Sequence, residues 1–296
     1  MSTTTVVDPK LSHAEYNADP CETPSLRSSA VKTILGGTMK EAWFEHPKLN
    51  KNFVEENKTA WDLGTAAHEL AVGGADKIVV LKHDAYRSKA AKEERDEAYS
   101  KGQTPVLEHQ LESLNAMVNA LAEQLVDRGL GHVFKGCFPE VSFMWKERGI
   151  WNRSRPDWAH RIYSYEFDDE PKPTIVYDYK TTGVDVGANK LSRYGFEMGW
   201  DIQAAMITRG IKACLGVEEV EVRFVAQNNK PPYLANVVTM SPYSVKLADE
   251  AITVAQNKWA NALDSGNWDG HPVEIAQLDT PTWLAEEREE LIGEGV

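Results

Sequence analysis

Apolar and polar positions repeat with different periods along this chain, and each change of period marks an element. The first twenty-odd residues are polar and carry the turn-like run ADPCETP, which predicts an extended arm. Residues 25–35 (SLRSSAVKTIL) read as a short helix stopped by Gly36 and Gly37. Thr59–Val72 places apolar residues at helical spacing and ends at Gly73 and Gly74. The run KIVVL at 77–81 predicts a short strand. Residues 86–102 are highly charged with little apolar periodicity and read as a solvated helix or a mobile loop. The clearest amphipathic helix is 111–130, where Leu114, Met117, Val118, Leu121 and Leu125 fall on one stripe.

From Pro139 the period shortens. Residues 140–145 alternate, and 153–162 and 174–181 follow as further strands, with the acidic turn FDDEPKP between the last two. Helical spacing returns over 188–215. Two strands at 220–226 and 234–240 are joined by the turn NNKPP, and an amphipathic helix over 244–263 closes the series. This order predicts an α/β (α+β) fold with a mixed central sheet flanked by helices. No internal repeat or linker divides the chain. We expect an arm over 1–24, one domain over 25–265 and an acidic tail over 266–296.

Composition limits the setting. The 296 residues are 42% hydrophobic and 26% charged, ordinary globular usage. There is no apolar run long enough to span a bilayer, and MSTTTVVDPK lacks a signal-peptide layout, so we expect a soluble cytoplasmic protein with no membrane partner. Cys21, Cys137 and Cys214 lie far apart without a CxxC pair, which favours reduced, partly buried thiols over a zinc knuckle or an iron–sulfur cluster. The net charge of −13 repels a polyanion at long range and argues against a protein that coats DNA. A nuclease tolerates that balance if its basic groups line one groove and its carboxylates hold cations.

The candidate chemistry sits in Arg155-Pro156-Asp157 and Asp178-Tyr179-Lys180. Residues two apart on a strand share a face, so Asp178 and Lys180 project side by side. Asp157 joins them if the two strands pair as a hairpin. Neighbouring carboxylates repel unless a divalent cation neutralises them. A lysine beside them can orient or deprotonate the attacking water, or offset charge in the transition state of phosphodiester cleavage. The D-x-K spacing alone also fits a solvated strand with an ion pair. The apolar surroundings IVYDYKTT favour a partnered, buried site, since unpaired charge there is costly.

Other residues carry two readings each. His68 in GTAAHEL is either a helix histidine satisfied by hydrogen bonds or a ligand facing the carboxylates. Glu140 is either a surface glutamate or a further oxygen for the metal site. Gln203 in GWDIQAAMI is either an ordinary helix residue or a bridge from the site to DNA. Arg87 and Lys89 form a solvated helix face or contact phosphates, and Arg155 beside Asp157 is a further DNA-binding candidate. Trp61, Trp158 and Trp200 pack in the core or stack on unpaired bases.

The order GTAAHEL, RSKAAK, PEVSFMW, RPDW, DYKTT and DIQAAM, from about residue 25 to about 262, resembles the RecE-like (exonuclease VIII type) phage and prophage exonucleases of the PD-(D/E)XK superfamily. The resemblance implies a restriction-endonuclease-like core. It also implies a Mg²⁺-dependent enzyme, with Mn²⁺ as a substitute, that digests linear double-stranded DNA 5′ to 3′. The 3′ tails would pass to a RecT-like single-strand annealing protein for recombination. By motif, His68, Glu140, Asp157, Asp178 and Lys180 form the site, with His68, Asp157 and Asp178 as metal ligands and Gln203 in the following helix motif. Related enzymes often form rings around DNA. The superfamily's tyrosine four residues after that glutamine is Ile207 here, a departure that removes an aromatic contact. Competing expectations are an endonuclease of the same superfamily, its four-cysteine iron–sulfur form, and an inactive DNA-binding module.

Overall fold

The computed structural model describes residues 4–53, 59–133, 137–159 and 174–294. In chain order the elements are β1 (Thr5–Asp8), α1 (His13–Asn17), α2 (Ser28–Gly36), α3 (Met39–Phe44), α4 (Thr59–Val72), β2 (Ile78–Leu81), α5 (Lys89–Ser100), β3 (Thr104–Leu107) and α6 (Leu111–Asp127). There follow β4 (Phe138–Pro139), β5 (Ser142–Glu147), β6 (Ile150–Ser154), β7 (Trp158–Ala159), β8 (Thr174–Thr182), α7 (Ala188–Met198), α8 (Trp200–Leu215), β9 (Val220–Asn228), β10 (Ala235–Thr239), α9 (Pro242–Ser265) and α10 (Thr282–Glu294). The mixed α+β architecture expected from the sequence is present.

A five-stranded sheet runs β10-β9-β8-β7-β4, antiparallel throughout except for β8 with β9. That parallel pair needs a crossover connection, and α7 with α8 supplies it. β1-β5-β6 form a three-stranded antiparallel sheet, and β2 with β3 a parallel pair.

The strands expected at 140–145 and 153–162 are interrupted, and residues 160–162 of the second lie outside the described residues. Pro156 has no N–H to give, so the ladder fails around it. Pro139 pairs with Trp158 on one side of the break and Phe143 with Ser154 on the other, in one continuous register. Across the gap, Glu140 N donates to Asp157 O at 2.9 Å, with Glu140 in the left-handed region at φ 49°. A non-glycine residue held there costs on the order of 1 kcal/mol.

One face of the sheet packs Val176 and Phe224 against Trp200, Ala204, Ile207 and Ile211 of α8. The opposite face sets Tyr177, Tyr179 and Val225 against α4 and α6. A third core joins α2, α3 and α9 to the remaining face of α8 and to Trp145 of β5. Helix α8 can lie this close because residue 210 is glycine, where a Cβ would stand 2.6 Å from the Trp145 ring.

The helical stretch 188–215 is two helices, because Gly199 turns left-handed at φ 75° between them. The charged stretch after Tyr86 is helical over Lys89–Ser100. The segment read as an arm pairs over Thr5–Asp8 with β5, then turns helical behind a Ser12–Glu15 capping box. It ends in a buried polar knot. Asp19 accepts hydrogen bonds from Ser25 N and Ser25 Oγ at 2.8 Å each and lies 3.2 Å from both Arg153 Nη1 and His46 Nε2. The tail beyond Ser265 is almost entirely exposed and includes α10. The acidic turn at 167–173 lies outside the described residues. Cys21, Cys137 and Cys214 are free thiols. Among the described residues no helix is long and apolar enough to cross a membrane.

Candidate active site

Strand β8 supplies the site because its two faces differ. Tyr177 and Tyr179 point into the α4–α6 core, while Asp178 and Lys180 project from the opposite face toward α8. β7 pairs antiparallel with β8, Trp158 opposite Tyr177, and the next step of that register sets Asp157 beside Asp178. The break at Pro156 ends the β6 ladder just short of Asp157 and leaves its carboxylate able to turn. Asp157 Oδ2 accepts from Tyr179 N at 2.6 Å, and Oδ1 lies 2.9 Å from His68 Nε2. His68 reaches it from α4, whose Gly64, one turn earlier, lets the helix lie on β8. A Cβ at Gly64 would meet Thr181 Oγ1 at 2.5 Å.

Asp178 is buried. Gln203 Nε2 of α8 donates to its Oδ2 at 2.5 Å, and Lys180 Nζ stands 2.5 Å from its Oδ1. The structure therefore brings His68, Asp157, Asp178, Lys180 and Gln203 together. Burial and the neighbouring Asp157 charge push the Asp178 carboxyl up to about 6. Burial alone would raise Asp157 too, but the charges of His68 and Lys180 hold it below the usual carboxylate range. Burial works against the cationic form of His68, yet Asp157 outweighs it and lifts the imidazole to about 9. Lys180 is raised in the same way by Asp178 and Asp157.

These groups suit a divalent cation of sparse protein coordination. Asp178 Oδ1 is buried and makes no well-directed hydrogen bond among the described residues, its near neighbour being the Lys180 ammonium. Two adjacent carboxylates, one with an oxygen held only by the Lys180 ammonium, fit Mg²⁺, which takes one or two carboxylates and keeps waters. Among the described residues, no three or more His, Cys, Asp or Glu side chains already converge as a ligand set.

Glu140 stands next to this group but faces elsewhere. Its Oε2 accepts from Arg155 Nη2 at 3.1 Å and lies 3.5 Å from Lys77 Nζ, which is 2.9 Å from Glu69 Oε2. Arg155 also lies over the Tyr16 ring, 5.5 Å from its centroid. Arg87 and Lys89 are exposed at the start of α5 and are not brought against the carboxylates; Lys89 pairs with Glu93 one turn on. Trp158 and Trp200 are core residues, the latter stacked on Phe224. The side chain of Trp61 lies outside the described residues. Ile207 is buried against the sheet. Sequence reasoning passed over Lys77, Glu69 and Tyr16: Glu69 follows His68 directly in GTAAHEL, while Lys77 and Tyr16 carry no local pattern that marks them.

No protein-family model and no curated protein matches the chain. Among solved structures, a candidate exonuclease from Eubacterium rectale superposes with a TM-score of 0.61 at 12% identity, covering 92% of this chain and 96% of that one. At that identity the likeness shows the fold, helices flanking a mixed sheet. A phage-related exonuclease from Haemophilus somnus 129PT is matched over 82% of this chain and 96% of its own at 12% identity; its TM-score of 0.33 carries no argument.

Proposed function

We propose that this chain is a Mg²⁺-dependent nuclease of the PD-(D/E)XK kind. One observation carries the reading: the aspartate just before β7, the aspartate of the antiparallel β8 and the lysine two residues on meet in one largely buried cluster. A structural role alone gives no reason to press two carboxylates together at the cost of a raised pKa. A cation-dependent phosphodiesterase does.

Asp157 and Asp178 would hold the ion, joined by His68 once its imidazole is neutral, and Mn²⁺ would substitute for Mg²⁺. A bound ion would polarise the phosphate and acidify a water. Lys180, lifted by both carboxylates, acts as a cation: it orients the water and offsets charge building on the phosphate oxygens. Gln203 fixes Oδ2 of Asp178, so that Oδ1 faces the pocket. His68 holds Asp157 until then.

The finer reading is a RecE-like exonuclease that digests linear duplex 5′ to 3′, leaves 3′ tails for a RecT-like annealing protein, and works as a ring around DNA. The motif order and the exonuclease assignment of the Eubacterium rectale neighbour support it. The purified chain with Mg²⁺ should degrade linear duplex and spare covalently closed circles. Equal cutting of closed circles would replace this reading with an endonuclease.

A further inference from the structure

We infer that Glu140 and Lys77 are positioning residues for Arg155, and that Arg155 binds a DNA phosphate beside the cutting site. The inference rests on the nuclease reading and gives Glu140 a role other than metal ligand. Arg155 is held in place by its neighbours: Pro156 follows it, Tyr16 lies against its guanidinium, and its side chain is 9% exposed. Its Nη2 donates to Glu140, but Nε and Nη1 are buried and have no hydrogen-bond partner among the described residues. Buried guanidinium donors left unfilled are costly, and a phosphate, with several acceptor oxygens, matches their planar fork. Arg155 lies two residues from Asp157, so a phosphate bound there belongs to the strand being cut.

Glu140 alone could close on Arg155 with both oxygens and fill those donors. Lys77 shares the same Oε2, at 3.5 Å, and so competes with Arg155 for it. Lys77 is itself tethered by Glu69, 2.9 Å away, at the end of the Gly73-Gly74 turn that closes on that glutamate: a Cβ at Gly74 would stand 2.4 Å from Glu69 Oε2. The Glu140 carboxylate contacts this pair of cations, with its backbone in the left-handed region.

The test uses the full chain and a fluorescently labelled linear duplex, with binding read by anisotropy in EDTA. Removing a carboxylate from a DNA-binding face should strengthen binding if the group acts only through its charge. We expect Glu140→Ala to weaken binding about fivefold or more, as misplacement of Arg155 requires. Arg155→Met should weaken it about tenfold and lower the salt dependence by about one counterion. Glu140→Ala should add little on the Arg155→Met background. Lys77→Met, at a more exposed position, should weaken binding in the same direction and guards against a folding defect in the Glu140 variant. In parallel cleavage assays, the Mg²⁺ concentration giving half-maximal rate should stay within about twofold of wild type in Glu140→Ala. Tighter or unchanged binding by Glu140→Ala, or a raised Mg²⁺ requirement, overturns the inference. Failure of the nuclease reading is distinguishable, because the wild-type chain would then not cleave at any Mg²⁺ concentration.

Discussion

Replacing Asp178 with asparagine, or Lys180 with alanine, should lower the rate on linear duplex DNA by on the order of 10³-fold or more while the fold is retained. The two changes remove different things. Asparagine keeps the shape of Asp178 and an oxygen for the Gln203 amide, but takes away the charge that would hold a cation. The structural cost is modest because burial and Asp157 push this carboxyl up to about 6, so ionising it is already disfavoured relative to a free carboxylate. Loss of Lys180 removes the cation facing both aspartates. Asp157 keeps its bond to His68, so the strand pair stays in place. Single-turnover rates, with thermal melts as the control on folding, measure both effects. A rate within tenfold of wild type for either variant, with normal melting, would remove these residues from the chemistry.

The second large effect lies away from the cut. Asp19→Ala should lower stability by about 3–5 kcal/mol, the range for removing one partner of a buried ion pair. Arg153 is 1% exposed, and Asp19 is its charged neighbour within a knot that also holds Ser25 and His46. Urea unfolding at neutral pH measures the loss. Adding Arg153→Met should recover part of it, because the orphaned charge goes too. The pH dependence has a definite sign. Burial would raise Asp19, but His46 and Arg153 outweigh it and hold the carboxyl well below its ordinary 3.8. A carboxyl lowered on folding stabilises the fold fully above its unfolded value, and that contribution fades as pH falls through the lower folded one. The wild-type chain should therefore lose stability below about pH 4 more steeply than the variant. A loss under about 1 kcal/mol at neutral pH would mean that the knot is not what ties the arm to β6.

The parts of the fold legible in the sequence were those whose signal is local. Thr59–Val72 and the helix stripe from Leu114 to Leu125 follow from periodicity and are present, whereas the strand expected over 140–145 begins only at Ser142 and the one expected from 153 is split around Pro156. Asp178 and Lys180 were readable because a two-residue spacing in an apolar strand fixes both face and surroundings. Asp157 needed one further assumption, the hairpin, which the β7–β8 register supplies. Some local signals were available and passed over. Thr38 and Glu41 form a capping box that starts α3, and Gly199 divides α7 from α8. β3 gave only four residues, one of them proline, and becomes a strand by pairing with β2. The Asp19–Arg153 pair and the Lys77–Glu140–Arg155 chain had no local signal at all. Their members come from separate elements, and only the folded chain brings them within reach.

Digestion of an end-labelled linear duplex, with Mg²⁺ and with EDTA, tests the central claim most directly. A 5′ label should be released early as a small product, a 3′ label should persist, and both should be retained in EDTA or with the Asp178→Asn chain. Intact labels at every Mg²⁺ concentration, or release that continues in EDTA, would contradict it.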